Sequence, residues 1–147
     1  MPAFMLLMGA DPAMESGAKP TPEQMELMKP IHDYNEKLAK AGKLVWADVL
    51  LPSSQGARLI AEADGSLKTI KGPFEHTTGG YAILAAKDLD EAIALVKAGP
   101  TNPQHAGRGL EIRQIVDLES LPVPEEVKAK GREMRGLMKK NAQALSK

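Results

Sequence analysis

The chain has 147 residues, a length typical of one domain with a substantial core. Hydrophobic residues make up 43 % of it and aromatic residues only 3 %, so the core must consist mainly of aliphatic side chains. The net charge of +0 gives no indication of nucleic-acid binding, and the lack of cysteine excludes disulfides and catalytic thiolates. The apolar start MPAFMLLMGA has no basic n-region and is too short to span a membrane. We therefore expect a cytoplasmic protein that binds neither nucleic acid nor a membrane.

Hydrophobic periodicity and turn signals divide the chain into alternating strands and helices. In chain order they predict a strand (3–8), a loop (9–20), a helix (21–41), a strand (43–51) and a two-stranded hairpin (58–63 with 66–71). A strand (81–86), a helix (88–99), a strand (110–116) and a final helix from residue 124 onward follow. Thr21 and Asp88 can each cap the first turn of a helix. Pro30 predicts a kink or a division of the first helix, because it removes one helical hydrogen bond. Asp64-Gly65 is a strong hairpin signal.

This order of elements favours a ferredoxin-like α+β fold, in which an antiparallel sheet carries its helices on one face. The strand over residues 43–51 is mostly apolar on both faces, so we expect its second face to be covered as well. Sheet-to-sheet pairing of two copies would cover that face, and it predicts a homodimer. The linker LESLPVP separates the body from a basic last helix. We therefore divide the chain into a domain of residues 1–118 and a C-terminal helical extension of residues 119–147.

Four segments of the chain resemble the YCII-related family, and most closely its DGPF subgroup. They are GKLVWADVLLP, KGPFEHTTGGYAIL, DLDEAIALVKAGP and GLEIRQI, which come in the family's order within residues 3–116. The chain departs from the Asp-Gly-Pro-Phe motif at Lys71, the segment before Gly79-Gly80 is shorter than usual, and the last helix has no counterpart. The resemblance implies a ferredoxin-like fold that dimerises into an α/β barrel-like assembly, with a site built around a His and an Asp. Relatives include a dehydrochlorinase of aromatic degradation and proteins associated with extracytoplasmic-function sigma factors.

Asp48 is the first candidate for a catalytic residue. It lies between Trp46 and Leu50 in the predicted pattern of one strand face, where a partly desolvated carboxylate would suit acid–base catalysis. It also matches the acidic position of the family's second-strand motif. The alternative is an ion pair with Arg58 or Arg113 that serves only the fold or the dimer.

His76 is the second candidate, since a histidine among glycines can lie close to a ligand and move protons near neutral pH. The alternative is a solvated loop histidine beside Glu75. Arg113 can clamp a substrate carboxylate, or it can form an ion pair with Glu111 or Asp48. The predicted site therefore consists of two catalytic residues, Asp48 and His76, and three substrate-binding residues, Arg113, Trp46 and Tyr81.

No metal-binding or dinucleotide-binding spacing occurs in the sequence, so we predict no metal and no cofactor. His32 and His105 lie far apart along the chain. Two functions stay open. One is an enzyme of lyase or hydrolase type on a small polar organic substrate, and the other is a non-catalytic binding or regulatory module linked to transcription through a sigma factor. A purely structural dimer is a third possibility.

Overall fold

The computed structural model describes residues 1–101 and 107–145, so His105 lies outside the described residues. Its elements are β1 (Ala3–Gly9), α1 (Pro12–Glu15), α2 (Pro22–Lys40), β2 (Leu44–Val49), β3 (Ala57–Ala61), β4 (Leu67–Lys71), β5 (Thr78–Ala85), α3 (Leu89–Lys97), β6 (Leu110–Gln114) and α4 (Glu125–Leu145). Short 3-10 turns lie at Ser53–Gln55 and Leu118–Ser120. The chain forms two compact units, residues 1–115 and 116–147. Neither described range contains a helix of the length and hydrophobicity needed to cross a membrane.

The first unit is built on a four-stranded sheet in the order β2-β5-β1-β6, in which every neighbouring pair is antiparallel. Helix α2 connects β1 to β2, and β5 lies between these two strands, which is the split β-α-β arrangement. Strands β3 and β4 form a separate hairpin. The predicted mixed α+β class and the hairpin are confirmed, and the topology is consistent with a ferredoxin-like fold.

The core lies on one face of this sheet, because alternate residues of the central strands point to the helices. Phe4 and Leu6 of β1 and Leu84 of β5 are buried there. Leu38 of α2 packs into the same core, and Tyr34 of α2 donates a hydrogen bond to the Leu95 carbonyl of α3 at 2.5 Å. Helices α2 and α3 therefore cover one face, as the sequence predicts.

Two local alternatives are contradicted, the all-loop segment 9–20 and a division of the first helix at Pro30. The segment 9–20 is not all loop, because Asp11 accepts a hydrogen bond from the Ala13 N–H at 2.8 Å and Pro12 begins the short helix α1. Pro30 does not divide α2, which runs on without a break from its capping box at Thr21. A proline removes one hydrogen bond from the helix, and the packing of α2 outweighs that loss.

Strand β2 is not covered on both faces within the single chain, and cover by a second copy stays a prediction. Strand β2 lies at the edge of the sheet, where β5 is its one neighbour in the sheet order. Val45 and Val49 are 58 % and 64 % exposed, and Leu51 just beyond the strand is 75 % exposed.

Candidate functional site

Three of the predicted site residues form one hydrogen-bonded cluster. The pairing of β2 with β5 places Asp48 opposite Tyr81. The Trp46 indole Nε1 donates to Asp48 Oδ2 at 2.5 Å, and the Tyr81 hydroxyl donates to the same oxygen at 3.1 Å. The structure therefore brings Asp48, Trp46 and Tyr81 together, as expected for a common site.

A β-bulge decides which way this cluster faces. Leu44 pairs with Leu84 on the helix side of the sheet, whereas Trp46 pairs with Ile83, which alternation places on the opposite side. The extra residue between the two pairs is Val45, and it turns the rest of β2 over. Regular alternation predicts that Leu44, Trp46 and Asp48 share one face of the strand. That prediction is wrong, because the bulge places Trp46 and Asp48 on the other side of the sheet from Leu44.

The Asp48 carboxylate is exposed rather than desolvated, which is a second difference from expectation. Its Oδ2 atom takes both hydrogen bonds of the cluster, and no hydrogen bond to Oδ1 is found among the described residues. The hydrogen bond to the Asp48 carboxylate raises the pKa of Tyr81, and burial and the negative charge of Asp48 act in the same direction. Tyr81 is thereby held as a neutral donor, and Oδ1 stays available to a ligand.

The cluster lines a cavity of about 710 Å³, which we call the Asp48 cavity. Helix α2 and strand β2 form much of its wall, and most of that wall is apolar, including Met14, Met28, Ile31, Leu44, Val45 and Val49. Polar groups on the wall include Gln24, His32 and Asn35. The volume lies in the range of pockets for small molecules, roughly 300–1,000 Å³. Asp48 lines the cavity and is also exposed to solvent.

His32 is the residue of this site that the sequence did not assign. It lines the Asp48 cavity together with Asp48, although no hydrogen bond joins the two among the described residues. Helical spacing carries a weak signal for it, because His32 follows Met28 by four residues and both therefore line the same side of α2. That signal can be used only once β2 is known to pack beside α2.

His76 lies in a different cavity, which we call the His76 cavity. Its volume is about 930 Å³, and Glu75, His76, Arg108 and Glu111 contribute to its lining. It shares no lining residue with the Asp48 cavity. The structure therefore does not bring the two expected catalytic residues into one cavity.

The loop that carries His76 is anchored by a side-chain network. Ser53 Oγ accepts a hydrogen bond from the Phe74 N–H at 2.8 Å, and the Glu15 carboxylate accepts from Ser53 N at 2.6 Å and from Ser53 Oγ at 2.5 Å. These two hydrogen bonds from Ser53 lower the pKa of Glu15. Glu15 is thus held by two hydrogen bonds from Ser53 and is not a freely solvated carboxylate.

Gly72 and His76 give the same loop its backbone path. A Cβ at Gly72 would lie 1.8 Å from the Ser53 carbonyl oxygen, so a side chain there collides with backbone. His76 has a φ of 50°, an uncommon value for a residue with a side chain. Both residues therefore serve the backbone path of the loop, which is an architectural role.

Arg113 is not part of the Asp48 cluster. It lies on β6 opposite Met5, at the other edge of the sheet from β2. Three strand spacings separate the two edges, about 14 Å in all. Arg58 instead stacks its guanidinium 4.1 Å from the centre of the Phe74 ring. Asp48 makes no ion pair within the described residues, with either arginine.

Within the described residues, no three His, Cys, Asp or Glu side chains are grouped so that they could hold a metal ion.

Comparison with known proteins gives one family. The model of the YCII-related domain matches residues 3–119, which is most of the chain. A search of curated proteins gave no match. The chain therefore belongs to the YCII-related domain family.

Proposed function

We propose that this protein is an enzyme of lyase or hydrolase type that acts on a small organic molecule in the Asp48 cavity. The observation that carries the proposal is the Asp48 carboxylate, which Trp46 and Tyr81 fix by hydrogen bonds in the lining of a cavity with mostly apolar walls. Such a cavity with a few convergent polar groups is the usual form of a small-molecule site.

Asp48 is the proton acceptor in this proposal. Two donors on Oδ2 fix the orientation of the carboxylate, and Oδ1 can accept a proton or a hydrogen bond from the substrate. His32 replaces His76 as the second acid–base group, because it lines the same cavity. A histidine can return the proton to a leaving group at neutral pH.

The proposal is tested by turnover in a panel of esters, lactones and compounds that can undergo elimination, followed by NMR. Asp48→Asn and His32→Asn should each lower any detected activity by about 10²–10⁴-fold, the usual contribution of a general acid or base. His76→Asn should leave it within about twofold, since His76 lies in another cavity and surface changes are small. Full activity in Asp48→Asn would contradict the mechanism.

A non-catalytic binding module is the second candidate function, in the regulatory or sigma-factor-linked form that the sequence left open. The observation that favours it is the lack of a hydrogen bond between Asp48 and any histidine among the described residues. Ligand binding without turnover of any panel compound would support it. Co-purification with a sigma factor would support the link to transcription.

We also propose that the chain is a cytoplasmic homodimer of the DGPF type with a barrel-like pairing of sheets. Support for the subgroup comes from Gly72-Pro73-Phe74, where the Gly72 position excludes a Cβ. Support for a dimer comes from exposed apolar side chains, including Trp46 at 39 % and Leu59 at 61 % exposure. Sedimentation that gives the mass of one chain at all concentrations would exclude the dimer.

A further inference from the structure

We propose that the ligand of the Asp48 cavity is an organic cation, a protonated amine attached to an apolar body, whose ammonium group binds to Asp48. This inference rests on the proposed function, because it names the class of molecule for the same cavity. It differs from the expectation drawn from the sequence, in which Arg113 orients an anion.

The charge of the cavity favours a cation. Among the described residues, its ionisable lining comprises Asp11, His32, Asp48 and Tyr81, with no lysine and no arginine. Asp11 lies 3.5 Å from the Arg108 guanidinium, so Asp48 supplies the carboxylate with no cation beside it. An anionic ligand would add a second negative charge beside Asp48, with no lysine or arginine in the described lining to offset it.

The geometry of Asp48 selects a ligand that donates hydrogen bonds. Oδ2 already accepts from Trp46 and Tyr81, so Oδ1 is the oxygen that a ligand can reach. A carboxylate only accepts, whereas an ammonium group offers three N–H donors. A ligand carboxylate or ketone has no donor for this oxygen.

The two aromatic rings beside Asp48 add a second preference for positive charge. Trp46 and Tyr81 both line the cavity, and each is tied to Asp48 by its polar atom. The faces of indole and phenol rings attract ammonium groups. Both rings therefore lie beside the carboxylate that would bind the ammonium group.

The apolar wall determines the rest of the ligand. Met28, Ile31 and Leu44 line the cavity, and the volume of about 710 Å³ holds a ring or a short branched chain. Burial of an apolar body against such side chains gives binding that does not depend on charge. The ligand class is thus a lipophilic amine rather than a sugar, a nucleotide or a dicarboxylate.

Matched probes test the charge preference. Cyclohexylmethylammonium, cyclohexylmethanol and cyclohexanecarboxylate share one apolar body and differ in charge. Trp46 is the one tryptophan of the chain, so its fluorescence reports on binding at the cluster. We expect the ammonium compound to bind about tenfold more tightly than the carboxylate, since attraction and repulsion at an exposed charge each change affinity by about threefold. Added salt should reduce this ratio.

Asp48→Asn is the decisive variant. It keeps the size of the side chain and should abolish the ammonium preference, while cyclohexylmethanol binds as before. Asp90→Asn is the matched control, because Asp90 is an exposed carboxylate in the first turn of α3 and lies outside the cavity. It should retain the full preference.

The outcomes separate this inference from the proposed function. Equal or tighter binding of the carboxylate, or an ammonium preference that persists in Asp48→Asn, would contradict the proposal that the ligand is a cation. Acid–base catalysis by Asp48 would then still be tested separately by the turnover panel. Absence of binding by all three compounds overturns both the ligand class and the cavity. An Asp48-dependent ammonium preference supports the inference, even where no panel compound is turned over.

Discussion

The Asp48 cavity and the His76 cavity differ in what their polar groups do. In the first, Trp46 and Tyr81 donate to one carboxylate oxygen, and an apolar wall lies behind it. In the second, the nearby hydrogen-bond network ties the loop to the rest of the unit through Glu15 and Ser53. Oriented polar groups with a free acceptor suit ligand chemistry, whereas groups that satisfy one another suit architecture.

The contrast teaches that residue type alone does not locate a site. A histidine beside glycines attracts attention in the sequence, but His76 lies apart from the Asp48 cluster. His32 lies within a helix and attracts none, yet it shares the cavity of Asp48.

Gly72→Ala gives the largest expected effect on stability and tests the architectural role of the His76 loop. Its Cβ would meet the Ser53 carbonyl oxygen, and such overpacking costs about 1–3 kcal/mol in the free energy of unfolding. Urea denaturation followed by circular dichroism measures this. Gly109→Ala is the control, because no atom lies within 4 Å of the added carbon, and it should change stability by less than about 0.5 kcal/mol. Equal costs for both variants would contradict the packing argument.

The titration of Tyr81 tests the Asp48 cluster. Asp48 raises the pKa of Tyr81, so Asp48→Asn should lower that pKa. A tyrosine whose pKa is higher in the folded than in the unfolded protein stabilises the fold at pH values below its unfolded pKa. That stabilisation is lost as the pH rises through its folded pKa. The chain has two tyrosines, so a Tyr34→Phe background isolates Tyr81 in an absorbance titration of tyrosinate. An unchanged titration in Asp48→Asn would show that the hydrogen bond does not persist in solution.

Acid sensitivity through Glu15 is the smallest expected effect. Hydrogen bonds from Ser53 lower the pKa of Glu15 below its ordinary value of 4.5. Their stabilisation is present above that value and is lost as pH falls through the lower folded pKa. Glu15→Gln should therefore lose less stability than the parent between neutral pH and acid, as measured by urea midpoints. Glu23→Gln, at an exposed position, should keep the parent's dependence of the urea midpoint on pH. The same pH dependence in both variants would contradict the role assigned to Glu15.

Much of the fold was predictable, because local signals and tertiary packing agree there. The capping box at Thr21, the cap at Asp88 and the hairpin at Asp64-Gly65 depend on neighbours along the chain. Helix α1 was missed although its cap and proline are present, since four residues leave almost no periodicity to detect.

The candidate site was predictable only in part. Alternation along β2 places Asp48 and Trp46 on one face, and this relation survives because both follow the bulge at Val45. The bulge itself was not predictable, since it depends on how β2 pairs with β5. Arg113 was assigned to the site because residue spacing does not reveal strand order. Its strand, β6, lies at the edge of the sheet opposite β2.

By itself, the sequence determined the α+β class, the order of the elements and the resemblance to the YCII-related family, since these depend on residues close together in the chain. Only the tertiary structure decided that Asp48 shares a cavity with His32, and not with His76 or Arg113. The reason is physical, because a cavity is formed by residues distant in sequence, and their meeting depends on strand order and on the packing of α2 beside the edge strand β2.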